Sequence, residues 1–189
     1  MLCGSWVMVV YRSFHRLAYT LRTDDIDFAV EVARNCETDI PEILRKLEYL
    51  PLMDLDGLEK FIKGTFSIEF LVHRQGGKDA PYVPVKKMKI RALPLPFMSM
   101  LYLDPITVDL QGFSIRIPGV ETLFLHKLIV AQRRIKESKK LKDLDQCKSL
   151  IPVIDAQKLA AIASTQQFSK NTKAAILKSV EAIGYSAFL

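Results

Sequence analysis

Asp25-Ile26-Asp27 puts two carboxylates two residues apart in a segment, Thr23-Asp24-Asp25-Ile26-Asp27-Phe28, that alternates toward its end. Alternate side chains of an extended strand share a face, so Thr23, Asp25 and Asp27 lie on one side and Ile26, Phe28 and Val30 on the other. The two acids are then roughly 6–7 Å apart at Cα. Their heads can converge on one hard cation. Magnesium takes such oxygen ligands, commonly one or two carboxylates completed by substrate phosphates. Taken alone, an Asp-x-Asp strand reads more readily as a surface strand with solvated acids.

A later segment changes that balance. In Phe66-Ser67-Ile68-Glu69-Phe70-Leu71-Val72, the residues Phe66, Ile68, Phe70 and Val72 make an apolar face, and Glu69 lies opposite with Ser67. If this strand pairs beside the first, Asp25, Asp27 and Glu69 form a hub for one or two Mg2+ (or Mn2+) ions. If it does not, Glu69 is an exposed strand residue. Gly4-Ser5 opens a helical segment, and such a start offers free backbone N–H groups and the Ser5 hydroxyl to a phosphate; a simple helix cap has the same signature. Lys127 falls within the apolar stripe of Val120, Leu123, Phe124, Leu128, Ala131 and Ile135. A lysine there must snorkel or meet an anion, for which a triphosphate is suited. His126 is off the stripe and carries no assigned chemistry. Asp143 and Asp145 fall among Lys139, Lys140 and Lys142, where charge balance accounts for them.

The elements that must position these residues follow from periodicity and capping. A helix is expected over 5–17, a strand over 23–30, a helix over 38–47 and a short helical turn over 57–63. A strand over 66–73 leads to a loop at 75–79. A strand over 86–92 is interrupted by Leu93-Pro94-Leu95-Pro96, and 107–110 and 113–117 form a hairpin around Gln111-Gly112. Helices follow near 120–136, 139–150, 156–166 and 170–183, with Asp155 and Ser169 as N-caps and Gly184 as a C-terminal stop. The expected organisation is α+β: an α/β core over 1–118, then a helical domain over 119–189, with a hinge at Pro118-Gly119.

Composition narrows the class. Of 189 residues, 49% are hydrophobic and 25% charged, a globular balance. No apolar run is long enough for a transmembrane helix. The opening MLCGSWVMVVYRSF lacks a basic leader and is expected to fold rather than to act as a signal peptide. Cys3, Cys36 and Cys147 are widely spaced without a CxxC pair, which fits free thiols in the cytoplasm rather than a zinc site. The net charge of +6 is concentrated in Lys127–Lys148, either a solvated helix face or a surface for phosphates or RNA.

In this order, Gly4-Ser5, Asp25-Ile26-Asp27 and Glu69 resemble the motif of the nucleotidyltransferase superfamily with the polymerase-β-like fold. That motif is a Gly-Gly or Gly-Ser at a helix start, an Asp-x-Asp strand and a third acid on a later strand. Leu21 to Phe28 is similar to the R-x-T-x-D-I-D strand of the bacterial branch. That branch includes uncharacterised nucleotidyltransferases and the toxin halves of abortive-infection toxin–antitoxin pairs. Leu125-His126-Lys127-Leu128, Arg133-Arg134 and Lys142-Asp143 resemble its helical signature, and the resemblance covers about residues 2–150.

The resemblance implies a mixed-sheet core followed by a helical bundle. It implies metal-dependent transfer of a nucleoside monophosphate from an NTP to an acceptor hydroxyl, on RNA, a protein or a small molecule, with pyrophosphate leaving. Asp25 and Asp27 would hold Mg2+ (or Mn2+), and Glu69 would complete the site and act as base. Gly4 and Ser5 would contact the phosphates, Lys127 would neutralise triphosphate charge, and Asp143 would position Lys127 or the acceptor. An antitoxin-like partner belongs to the same expectation. Three features depart from the pattern, one being the long segment between Ser5 and Asp25, in which a loop near Arg16–Thr20 is expected. Only Met1, Leu2 and Cys3 precede the Gly-Ser turn, where the family has a strand, so either a truncated first strand or a mis-assigned start is expected. The third acid is Glu rather than the more usual Asp. The competing reading is an inactive member that binds nucleic acid or a partner.

Overall fold

The computed structural model describes residues 1–21, 23–32, 37–76 and 80–186. Arg22 of the strand motif, Cys36 and the last three residues of the 75–79 loop lie outside these. The chain divides into two compact units. The first comprises Met1–Val7, Leu21–Ser99 and Thr107–Ile117; the second comprises Met8–Thr20, Met100–Ile106 and Pro118–Leu189.

Alternating residues in the first unit build a seven-stranded mixed sheet. Its main path runs β1 (Leu2–Cys3), β2 (Asp25–Ala29), β5 (Phe66–His73), β4 (Glu59–Lys63), β3 (Leu50–Met53). β7 (Ile90–Leu95) also pairs β5, and β6 (Val83–Val85) pairs β7. β2 and β7 run parallel to β5, and the remaining pairs are antiparallel. One core gathers Phe61, Ile68, Phe70, Val72, Val85, Ile90 and Ala92 with Leu44 of helix α2 (Ile40–Lys46). Ile26 and Phe28 pack against it, as their alternation predicts. Phe28 stacks on Phe70 at 6.0 Å, and Phe61 meets Phe70 edge-on at 6.1 Å. Asp39 caps α2 by accepting the Glu42 N–H at 3.0 Å, with Pro41 in the first turn.

Three sequence expectations need correction here. The stretch 57–63, expected as a helical turn, contains strand β4, and its neighbour β3 was not anticipated. Leu50-Pro51-Leu52-Met53 is apolar throughout and carries no period, and Ile62 blurs the alternation of β4. The turn between them is set by Asp54, whose Oδ1 accepts the N–H groups of Asp56 and Leu58 at 3.1 and 2.9 Å. The proline run does not interrupt β7, which continues through Pro94 to Leu95. Leu95 O accepts from Arg74 N–H at 3.0 Å, so Pro94, one residue earlier, faces away from β5. On that side the β6 ladder has ended at Val83–Ala92, so the missing proline N–H costs no bond. β7 also starts later than expected, after a 3-10 turn at Lys86–Met88.

The expected hairpin is present as β8 (Pro105–Leu110) and β9 (Phe113–Pro118). Gln111 at φ 51° and Gly112 at φ 94° give the doubly positive turn that matches strand twist. Helix α1 (Trp6–His15) also forms, within the expected 5–17.

In the second unit, α3 (Val120–Ala131) packs against α4 (Glu137–Leu150), α5 (Ala156–Ser164) and α6 (Lys170–Ile183). α3 is buried on nearly all sides rather than along one stripe. It also ends at Ala131, short of the expected 136, so Ile135 leaves the stripe and is 101% exposed. Asp155 accepts from the N–H groups of Gln157 and Lys158, and Ser169 from that of Thr172, as the caps predict. Gly184 adopts φ 68° at the end of α6. Among the described residues no helix is long and apolar enough to cross a membrane.

Candidate active site

Strand register decides which polar groups meet. In the parallel β2–β5 ladder Asp25 lies opposite Ser67, and Asp27 opposite Glu69. The antiparallel β4–β5 ladder sets Lys60 opposite Glu69, and β1–β2 sets Cys3 opposite Asp27. Residues opposite one another share a face, so Cys3, Asp27, Glu69 and Lys60 form one row across four strands. Asp25 and Ser67 begin the next row. Both rows lie on the side away from Ile26 and Phe28.

Hydrogen bonds fix these groups. The Ser67 hydroxyl donates to Asp25 Oδ1 at 2.7 Å, and the Thr23 hydroxyl approaches Oδ2 at 3.4 Å. Lys60 Nζ donates to Glu69 Oε1 at 2.5 Å. Burial works against the Lys60 charge, but the bond to Glu69 and the charges of Glu69 and Asp25 outweigh it. The ammonium is held above the usual lysine range. Among the described residues, no three His, Cys, Asp or Glu side chains are grouped to hold a metal. Asp25, Asp27 and Glu69 occupy one face of adjacent strands, with Glu69 engaged by Lys60.

The Gly4-Ser5 turn joins β1 to α1. Ala29 N–H donates to Met1 O at 2.8 Å, extending the pairing of the short β1 with β2. Trp6, the first residue of α1, contacts Phe66, the first of β5, at 6.3 Å between rings. Gly4 has φ 67°, and a Cβ built on it would collide with Asp27 Oδ2. Both the positive φ and the close approach require glycine. Gly4→Ala should therefore cost about 1–2 kcal/mol from the left-handed backbone alone and push Asp27 aside. Thermal unfolding and a Mn2+ titration check this; wild-type Mn2+ affinity in a folded Gly4→Ala protein would rule the contact out as part of the site.

Lys127 and Asp143 belong to the second unit, where they pair with one another. Lys127 Nζ donates to Asp143 Oδ1 at 3.0 Å and Arg134 Nε to Oδ2 at 2.7 Å. The residues are 4% and 1% exposed for Lys127 and Asp143. Burial disfavours the Asp143 carboxylate, yet the two cations outweigh it and lower its pKa below the usual range. Asp143 is thus bonded to Lys127 and Arg134, 16 and 9 positions away in sequence. Burial, with the Lys127 charge beside it, pushes the His126 imidazole down to about 3, so it is neutral. Cys147 is buried, and burial raises its thiol far above the thiolate range, which argues against a thiol nucleophile.

A nucleotidyltransferase family model matches residues 1–169. The chain belongs to this nucleotidyltransferase family. In the family match, both the carboxylate strands and the Lys127–Asp143 helices are included. A search of curated proteins found no match. Among solved structures, the chain is similar to an antigenic nucleotidyltransferase-like protein from Paracoccidioides brasiliensis. The identity is 12% and the TM-score 0.46, over 96% of this chain and 91% of that one.

Two polar residues of this candidate site are not apparent from the sequence. Lys60 is hidden because the pattern over 57–63 reads as a helical turn, whereas it forms β4. Ser67 was placed on the Glu69 face, but its bond to Asp25 depends on the parallel register of two strands 42 positions apart.

Proposed function

We propose that the protein transfers a nucleoside monophosphate from an NTP to an acceptor hydroxyl on the Asp25–Asp27 face, releasing pyrophosphate. The observation that carries this reading is the ladder register, which sets Asp27 beside Glu69 and Asp25 beside Ser67 on one face. The donor set fits magnesium, which needs only one or two carboxylates when phosphates and water complete its shell. Asp25 and Asp27 would hold it. Bound there, Mg2+ (or Mn2+) supplies charge neutralisation to the triphosphate and to the attacking and leaving oxygens.

The chain's own groups divide the remaining work. Ser67 and Thr23 orient the Asp25 carboxylate. Backbone N–H groups at the start of α1, beside Gly4 and Ser5, would receive phosphate oxygens. The acceptor oxygen attacks the α-phosphorus, the bond to the pyrophosphate oxygen breaks, and the hydroxyl proton passes to Glu69. Lys60 occupies Oε1 of that carboxylate, leaving Oε2 to take the proton. Lys127, Asp143 and Arg134 pair with one another inside the second unit, where two cations share one buried acid. The basic stretch from Lys127 to Lys148 suits RNA as the acceptor. Use as a toxin held by an antitoxin-like partner would employ the same chemistry.

A second reading, a non-catalytic binding module, is favoured by the engagement of Glu69 by Lys60. The deciding experiment incubates the protein with each labelled NTP, Mg2+ and total cellular RNA. Label should move to RNA or protein and be lost in Asp25→Asn/Asp27→Asn. Absence of both transfer and nucleotide binding would select the binding module.

A further inference from the structure

Lys60 stands in the row of site acids, one strand from Glu69 and two strands from Asp27. Its Nζ is bonded to Glu69, and the Asp25 charge also acts on it. The chemistry above uses it only to hold Glu69. Its charge has a further effect. A bare divalent ion arriving at Asp25 and Asp27 meets the ammonium as a like charge. A metal–triphosphate complex carries net negative charge and meets it as an opposite one. Two strand spacings are about 10 Å, a range over which a partly buried charge is incompletely screened.

We propose that Lys60 is a selectivity residue: it weakens binding of bare divalent cations at Asp25 and Asp27 and favours entry of the metal as its polyphosphate complex. The pairing with Glu69 serves the same end, because it keeps a third carboxylate from completing a site for the free ion. This rests on the proposed metal-binding role of Asp25 and Asp27.

The test compares wild type, Lys60→Met, Lys60→Gln, Lys60→Arg and Asp25→Asn with two probes. The first is MnCl2 alone, followed by the electron paramagnetic resonance signal of free Mn2+. The second is Mn2+ with saturating inorganic tripolyphosphate, followed by calorimetry, so that no particular base is presumed. Lys60→Met and Lys60→Gln should bind Mn2+ about tenfold tighter and Mn–tripolyphosphate about tenfold more weakly. Lys60→Arg should stay near wild type on both. The opposite signs are the signature, since a damaged fold would weaken both together. Equal or same-direction shifts in the two neutral variants overturn the inference. If Asp25→Asn abolishes binding while the neutral variants match wild type, the inference alone fails. If no protein binds either probe, the metal reading fails with it.

Discussion

Asp27→Asn should lower nucleotidyl transfer by about 100- to 1,000-fold, the usual loss when one preorganised electrostatic group is removed from a reacting site. The substitution is isosteric and removes a charge from a face already crowded with acids. Asp25 and Glu69 remain, and neither the core around Phe28 and Phe70 nor the β2–β5 ladder is touched. Stability should therefore change by no more than about 1 kcal/mol. The check is a single-turnover rate at saturating NTP beside a thermal melt. Transfer within tenfold of wild type, in a protein with an unchanged melt, would remove Asp27 from the mechanism. The Gly4 contact explains why Asp27 is the sharper probe of the two strand acids. Asp25 is tied to Ser67 and Thr23, whereas Asp27 lies against the turn expected to receive phosphate.

The largest stability effect is expected at Asp143. Asp143→Ala leaves the Lys127 ammonium buried without its counter-charge, which costs about 3–5 kcal/mol. In a chain of this length that corresponds to a fall of roughly 10 °C in Tm. Arg134 is more exposed and can turn to water, so Lys127 carries most of the penalty. The double variant Lys127→Met/Asp143→Ala should recover much of the loss, because it removes both buried charges. Equal destabilisation in the single and double variants would show that the pair is not what holds these helices. The pH sign follows from the lowered Asp143 pKa. The folded state binds the proton less readily than the unfolded chain. The contribution is therefore full above the ordinary Asp range of about 4 and is lost as the pH falls below it, through the folded value.

Much of the frame was legible because it is local. Dihedral geometry makes alternate strand residues share a face, so the sequence alone groups Asp25 with Asp27 and Glu69 with Ser67. Cap chemistry is also local, and Asp155, Ser169 and Gly184 sit where their hydrogen bonds or positive φ demand. The errors arose where local signals fall silent. Leu50 to Met53 has no period, and Pro94 looks like a breaker until its outward-facing position at the end of the β6 ladder is known.

Strand alternation is enough to put Asp25 and Asp27 on one face of a strand whose other face is apolar. What stands beside them depends on how the strands pair. The parallel register brings Glu69 opposite Asp27 across 42 positions, and the β4 hairpin inserts Lys60 against Glu69. Lys127 and Asp143 find one another across 16 positions on two helices. Such pairings depend on which strands and helices pack together, a property of the whole core, whereas the period of a strand is a property of its own backbone.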